Sequence, residues 1–315
     1  MLSRRLLRIK AMQALFAYFK SFNNDVKSGE QLLIRSIDNV YELYIYLLSF
    51  MVEIKDVAVN RIADNKLKVL PSQSDLIPNT KFIENKLLKQ LEDNNQLNTE
   101  RNRLKLSFSD NMEMIRKIYL NIKETSSYQN YMESENTGYR KDKDYVIGCF
   151  INNIVNEELL IEHLEDKKIF FIDDYDLVAS MVVKTLRYFK EDSDKNTQLL
   201  PLYKNFDEEN KFVRELFKKT ILYSKSNIEL IQKRTHKWES DRIAFMDILL
   251  MQMAICEFMY FPSIPIKATL DEYIDISKEY STDKSSSFIN GILDGIIDDL
   301  KASDRINKAG RGLIE

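Results

Sequence analysis

The stretch DRIAFMDILLMQMAICEFMYF (241–261) decides how the rest of the chain is read. It holds neither Gly nor Pro and is apolar nearly all round. That is the pattern of a helix covered on every side, central to a core. PSIP (262–265) ends it. Beyond the turn, KATLDEYIDISKEYS (267–281) has the spacing of an amphipathic helix, and TDKSSSFINGILDGIIDDL (282–300) that of a last helix. The apolar face of the last helix is Phe288, Ile289, Ile292, Leu293, Ile296, Ile297 and Leu300. Gly291 and Gly295 fall on one side, one turn apart, where a neighbouring helix has room to approach. Upstream, DEENKFVRELFKKTILYSKSNIELIQKR (207–234) repeats apolar residues close to a 3.6 period.

Composition agrees with an all-α chain. Of 315 residues only 7 are Gly and 5 Pro, too few for the turns of a sheet protein or for glycine-rich phosphate loops. Hydrophobic residues make up 44%, enough for a packed core. The net charge of −3 excludes a uniformly basic nucleic-acid binder, so any anion must be held by a local patch. No signal-peptide pattern and no apolar run of membrane-spanning length is present, which predicts a cytoplasmic protein without membrane contact. Cys149 and Cys256 lie in apolar runs and read as small core residues.

Residues 3–20 read as the first helix, with Ser3 placed to cap it and no carboxylate, Gly or Pro from Leu2 to Lys20. Leu6, Ile9, Met12, Leu15, Phe16 and Phe19 are expected to anchor it. Arg4, Arg5 and Arg8 form an i,i+3/i,i+4 triangle with no local partner. Two readings follow: an anion site suited to phosphates, or a solvated helix end. Residues 30–64 read as one long helix or two abutting ones, and LKVLPSQSDLIPNT (67–80) as a loop. Helical patterns follow at about 81–105, 110–133, 142–165 and 173–191, and aromatic clusters such as YELYIYLLSF (41–50) require burial. MIRKIY (114–119) resembles FVRELF (212–217), a likeness that convergent helical patterning also produces.

Catalytic motifs are missing. There is no phosphate loop and no dinucleotide fingerprint. His163 and His236 have no ligand-spaced companion, and Asp173, Asp174 and Asp176 suit a helix N-terminus or, alternatively, a cation. No enzyme, metal or cofactor is expected.

The C-terminal block is similar to the NusB transcription antitermination family. The resemblance runs through Asp241-Arg242 to Asp247, Cys256-Glu257-Phe258, Pro265-Ile266-Lys267, Asp271-Glu272-Tyr273 with Lys278, and Lys284-Ser285 to Asp294. RRLLRIKAMQALF resembles the family's first helix and KFVRELF (211–217) its second. Leu6 stands where some relatives carry a third consecutive arginine, Gln252 where an arginine is frequent, and Cys256 where tyrosine is frequent.

The resemblance implies two packed three-helix bundles, made of 1–21 and 210–301, with a helical insertion over 22–209 and a polar tail over 302–315. It implies binding of boxA-type single-stranded RNA together with the NusE small-subunit ribosomal protein, on the RNA polymerase elongation complex. Carried over by position, Arg4, Arg5, Arg8, Lys284, Ser287 and Phe288 would contact RNA, and Phe16 and Asp247 the protein partner. Phe288 also begins an apolar stripe, so core packing is an equal reading. The rivals are a targeting domain of an RNA methyltransferase, which needs a cofactor loop that this sequence lacks, and a structural interaction module, which RNA affinity would separate from the family reading.

Overall fold

The computed structural model describes residues 3–21, 25–135, 137–168, 170–235 and 243–313. Among them there is no strand. With glycine and proline scarce, most segments satisfy their backbone within helices. α1 (Arg4–Lys20) and α2 (Val26–Lys66) come first. Shorter helices follow: α3 (Gln73–Leu76), α4 (Lys86–Glu92), α5 (Asn95–Arg103), α6 (Met112–Glu124), α7 (Ser126–Glu133), α8 (Tyr139–Cys149), α9 (Glu158–Lys167), α10 (Phe170–Asp173) and α11 (Tyr175–Tyr188). The last group is α12 (Phe206–Leu222), α13 (Ser224–Arg234), α14 (Phe245–Tyr260), α15 (Ile266–Tyr280) and α16 (Ser285–Ala302).

Two compact units result, one from Asp38–Leu202 and one from Leu2–Ile37 with Tyr203–Glu315. In the second, α14, α15 and α16 pack on one another, α1 packs on α12, and α12 on α13. α14 touches all the others, and every residue from Leu249 to Phe258 is buried. The apolar-all-round segment is therefore the axis of this unit. The beginning of α2 belongs here too: Glu30 takes Arg214 at 2.7 Å and Lys218 at 2.9 Å. Gly29 faces the Phe217 ring so closely that a Cβ would displace it. The residues after α16 lie back on the α14–α15 turn. The Ala309 amide donates to the Pro262 carbonyl at 3.0 Å, and a Cβ on Gly312 would collide with that oxygen.

In the Asp38–Leu202 unit, α2 supplies a run of fully buried residues, including Leu43, Tyr44, Leu47 and Phe50. The Tyr44 hydroxyl bonds Thr185 Oγ1 at 2.6 Å and accepts from the Leu200 amide at 3.2 Å. α2 is one long helix, whereas the others here are shorter than their apolar periodicity suggests. The 81–105 pattern becomes α4 and α5, because Asn85 and Asn94 turn their side chains onto the amides of Leu87, Leu88 and Leu97. Likewise Thr125 caps α7 and ends the 110–133 pattern as one helix. Short polar side chains compete with the helical backbone for hydrogen bonds, and periodicity alone does not register this. The 142–165 pattern passes through a π-helical turn at Phe150–Ile154.

Asn85 is the polar centre of this unit. It is fully buried, its Nδ2 donates to Tyr131 OH at 3.0 Å and to the Asp142 carbonyl at 3.1 Å, and Tyr131 donates to Asp142 Oδ1 at 2.8 Å. Asn85→Ala removes a helix cap and strands these groups, so it should cost about 1–3 kcal/mol. Urea denaturation checks this, with faster amide exchange in α4; a loss below about 0.5 kcal/mol, the range of an ordinary surface substitution, would contradict it.

Candidate functional site

Ser3 caps α1, its Oγ accepting from the Leu6 amide at 3.2 Å. The helix is more deeply set than one stripe would require. Leu6, Ile9, Met12 and Leu15 are buried as expected, and so are Leu7, Arg8, Lys10 and Ala11. Phe16 departs from the expected anchoring role, being 38% exposed.

The expected unneutralised arginine triangle is corrected by the tertiary structure. Arg8 is 3% exposed, and the Nε/Nη2 edge of its guanidinium meets both carboxylate oxygens of Glu257 of α14, with Nε 2.9 Å from Oε2. Glu257 is fully buried and also accepts from Thr269 Oγ1 at 2.8 Å and Tyr273 OH at 3.2 Å. The Phe212 and Tyr273 rings flank the Arg8 guanidinium at 5.5 and 5.9 Å. Burial works against the Arg8 charge, but the attraction and hydrogen bonds of Glu257 outweigh it and hold the guanidinium above its ordinary pKa. Burial, reinforced by the Glu257 charge, pushes the Tyr273 phenol well up.

Arg5 reaches α15, with Nε 3.0 Å from Glu272 and a terminal nitrogen 2.7 Å from Asp275. Its pKa is raised, chiefly by the Glu272 hydrogen bond. Arg4 pairs with Glu208 of α12. Local spacing could not reveal these partners, since they lie more than 200 residues away in sequence. Glu257 did carry a signal: it is the single carboxylate between Ile248 and Tyr260 in an otherwise apolar helix, and a charge so placed needs a counter-charge. The side chains of Arg4 and Arg5 remain 33% and 40% exposed.

The other expected site residues gather where α15 turns into α16. Asp247 is buried in the first turn of α14, and its carboxylate accepts from Ser281 Oγ and, at 2.9 Å, from Ser285 Oγ. It braces the turn from inside. Lys284 and Ser287 are exposed there, and Phe288 is half-buried. Phe16 meets Phe245 edge-on at 5.5 Å, with the Lys20 ammonium 4.2 Å from the Phe245 centroid. Arg8 and Phe16 are separated along α1 by about 12 Å of helical rise, so the arginines and this aromatic surface are distinct places on one helix.

Gly291 faces open space, not a close-packed helix. Beside Gly295 lies the Arg234 guanidinium, 3.1 Å from where a Cβ would stand and 2.8 Å from Asp299 through Nε. His163 is half-buried against Asn111 at 3.3 Å, with a pKa lowered first by burial. His236, Asp241 and Arg242 lie outside the described residues. Cys149 and Cys256 are free and buried, which pushes both thiols up to about 11. Among the described residues no cluster of side chains fits a metal ion, and no helix is long and apolar enough to cross a membrane.

Arg8→Ala would leave Glu257 charged and dry, and should cost about 3–5 kcal/mol. Arg5→Ala should cost no more than about 1 kcal/mol, because its pair is solvent-screened. Chemical denaturation checks both; equal losses would refute the distinction.

Residues 175–298 match the model of the NusB family, a span that begins at α11 and runs through α12–α16. The transcription antitermination protein NusB of Salinibacter ruber is 43% identical over 103 residues, 33% of this chain and 64% of that protein. That of Chloroherpeton thalassium is 45% identical over 85 residues, 27% of this chain and 40% of that protein. That of Finegoldia magna is 34% identical over 108 residues, 33% of this chain and 79% of that protein. The chain thus spans less than two thirds of the first two and about four fifths of the third. No solved structure matches it at a significant level. Identity at this level over most of the Finegoldia protein, carried on the helices that surround α14, means that the chain belongs to the NusB family.

Proposed function

We propose that the protein is a non-catalytic, cytoplasmic antitermination adaptor that binds boxA-type single-stranded RNA and the NusE ribosomal protein on elongating RNA polymerase. The observation that carries this reading is the family match over α12–α16, the helices against which α1 and its arginines are set. In this reading 22–209 is a helical insertion that adds protein-contact surface to the family domain.

The arginines divide by energy. Exchanging a solvent-screened carboxylate for a phosphate costs Arg4 or Arg5 little, because such pairs contribute about 0–1 kcal/mol. Pulling Arg8 off Glu257 would cost several times that, so Arg8 holds α1 in place and leaves RNA to its neighbours. Lys284 and Ser287 are exposed and can join Arg4 and Arg5 on RNA, while Phe288 offers only part of its ring. Phe16, with Phe245 beside it, offers the apolar surface for the protein partner. Asp247 acts through the serines it holds.

With about three phosphate contacts, the log–log salt slope for a boxA-like oligonucleotide should be about −2. Arg4→Ala/Arg5→Ala should flatten that slope and weaken binding while the protein keeps its helicity. Fluorescence anisotropy across salt checks this; an unchanged slope in the double variant would remove these residues from the interface.

A further inference from the structure

Within the Asp38–Leu202 unit, two basic residues meet the condition that the α1 arginines do not. Arg61 on α2 and Lys123 on α6 line one cavity of about 390 Å³. Neither forms an ion pair or a side-chain hydrogen bond with any described residue. The Lys123 ammonium is held below the usual lysine range, first by burial and then by the Arg61 charge, which also reaches the Tyr119 phenol. Two cations that sense each other, with no ion pair to either, make a site that an anion stabilises.

Two carboxylates share the lining. Asp75 is taken by the Ser72 amide at 3.0 Å and by Lys68 at 3.1 Å, and Glu133 is exposed. An adjoining cavity of about 200 Å³ includes Arg61 and Tyr119 again and adds Arg116, with Asp64 as its acidic member.

The rest of the lining suits more than a bare phosphate. Phe82, Tyr119 and Tyr128 form an aromatic wall, with Phe82 6.0 Å from Tyr119 and 5.7 Å from Tyr128. The side-chain amides of Asn65 and Gln129 have no hydrogen-bond partner among the described residues. The volume is that of a small-ligand pocket. Anion-binding groups, flat apolar surface and amide edges together match a phosphate carried on a heterocyclic base.

We propose that this cavity binds a nucleotide, its phosphoryl oxygens between Arg61 and Lys123 and its base toward the aromatic wall, with Asn65 and Gln129 at the base edge. A free nucleoside monophosphate and a nucleotide within single-stranded RNA present the same chemistry. The site lies in residues outside the family match and does not depend on Arg4 or Arg5.

Calorimetric titration of the full chain decides. The probes are adenosine monophosphate, adenosine as the uncharged control, and a short oligoadenylate without a boxA sequence. The monophosphate should bind at least tenfold more tightly than adenosine. Arg61→Gln/Lys123→Gln should weaken it at least tenfold, and Arg4→Ala/Arg5→Ala should leave it unchanged. Arg61 is exposed, so Arg61→Gln alone replaces the double variant if that fails to fold. Oligoadenylate binding that depends on Arg61 and Lys123, without monophosphate binding, assigns the polymer as the source of the nucleotide. No binding of either phosphate probe, or equal affinity in wild type and variant, overturns the proposal. A loss of boxA binding confined to the Arg4/Arg5 variant tests the antitermination reading separately.

Discussion

The buried pair of Arg8 and Glu257 is the constraint on which the family domain depends. Taking two ions out of water is expensive, and it is tolerated only when geometry and surrounding hydrogen bonds compensate. Here the carboxylate receives two N–H groups from one guanidinium edge and two hydroxyls, from Thr269 and Tyr273. One interaction therefore fixes α1, α14 and α15 together. Sliding α1 by one residue would rotate Arg8 away and leave Glu257 unpaired, so the pair sets the helix's position as well as its attachment. Just beyond it, Lys308 donates to the carbonyls of Glu257 and Phe261 and closes the C-terminal end of α14. Burial pulls that ammonium down to about 8.

This pair also sorts the basic residues of α1 by availability. Residues 4 and 5 keep part of their side chains in water, where exchanging one anion for another changes little free energy. Residue 8 sits where the same exchange would strand a charge. Arginines open to exchange can thus sit one turn from an arginine that is not. The aromatic surface at Phe16 and Phe245 is independent of both, because it lies farther along the helix, where Asp247 stiffens the start of α16 through Ser281 and Ser285.

The Asp38–Leu202 unit is organised by different means. Apart from α2 its helices are short, and polar side chains serve their ends: Asn85, Asn94 and Thr125 satisfy amides that a longer helix would have satisfied itself. The stacked Tyr131 and Tyr145 rings, 4.0 Å apart, belong to an aromatic cluster on the same framework. A buried amide such as Asn85 stabilises only while all its partners are in place, which makes this unit sensitive to single polar substitutions.

Much of this protein was determined locally and is legible in one dimension. Scarce glycine and proline together with 3.6-residue apolar spacing dictate helices, and the apolar-all-round 241–261 segment has to be central because no side of it tolerates water. The family resemblance of the C-terminal block, the Ser3 cap and the burial of Leu6, Ile9, Met12 and Leu15 follow from nearest neighbours along the chain. Other features were decided only in three dimensions. The arginine triangle lacks a partner within four residues and finds Glu208, Glu257, Glu272 and Asp275 across the fold, because Coulomb attraction and desolvation depend on distance in space. Gly295 faces a guanidinium and Gly291 open space, although both occupy one side of a helix. Arg61 and Lys123, unremarked in the sequence, line one cavity with no ion pair to either. Spacing along a helix specifies which side chains share a face; only packing specifies what that face meets.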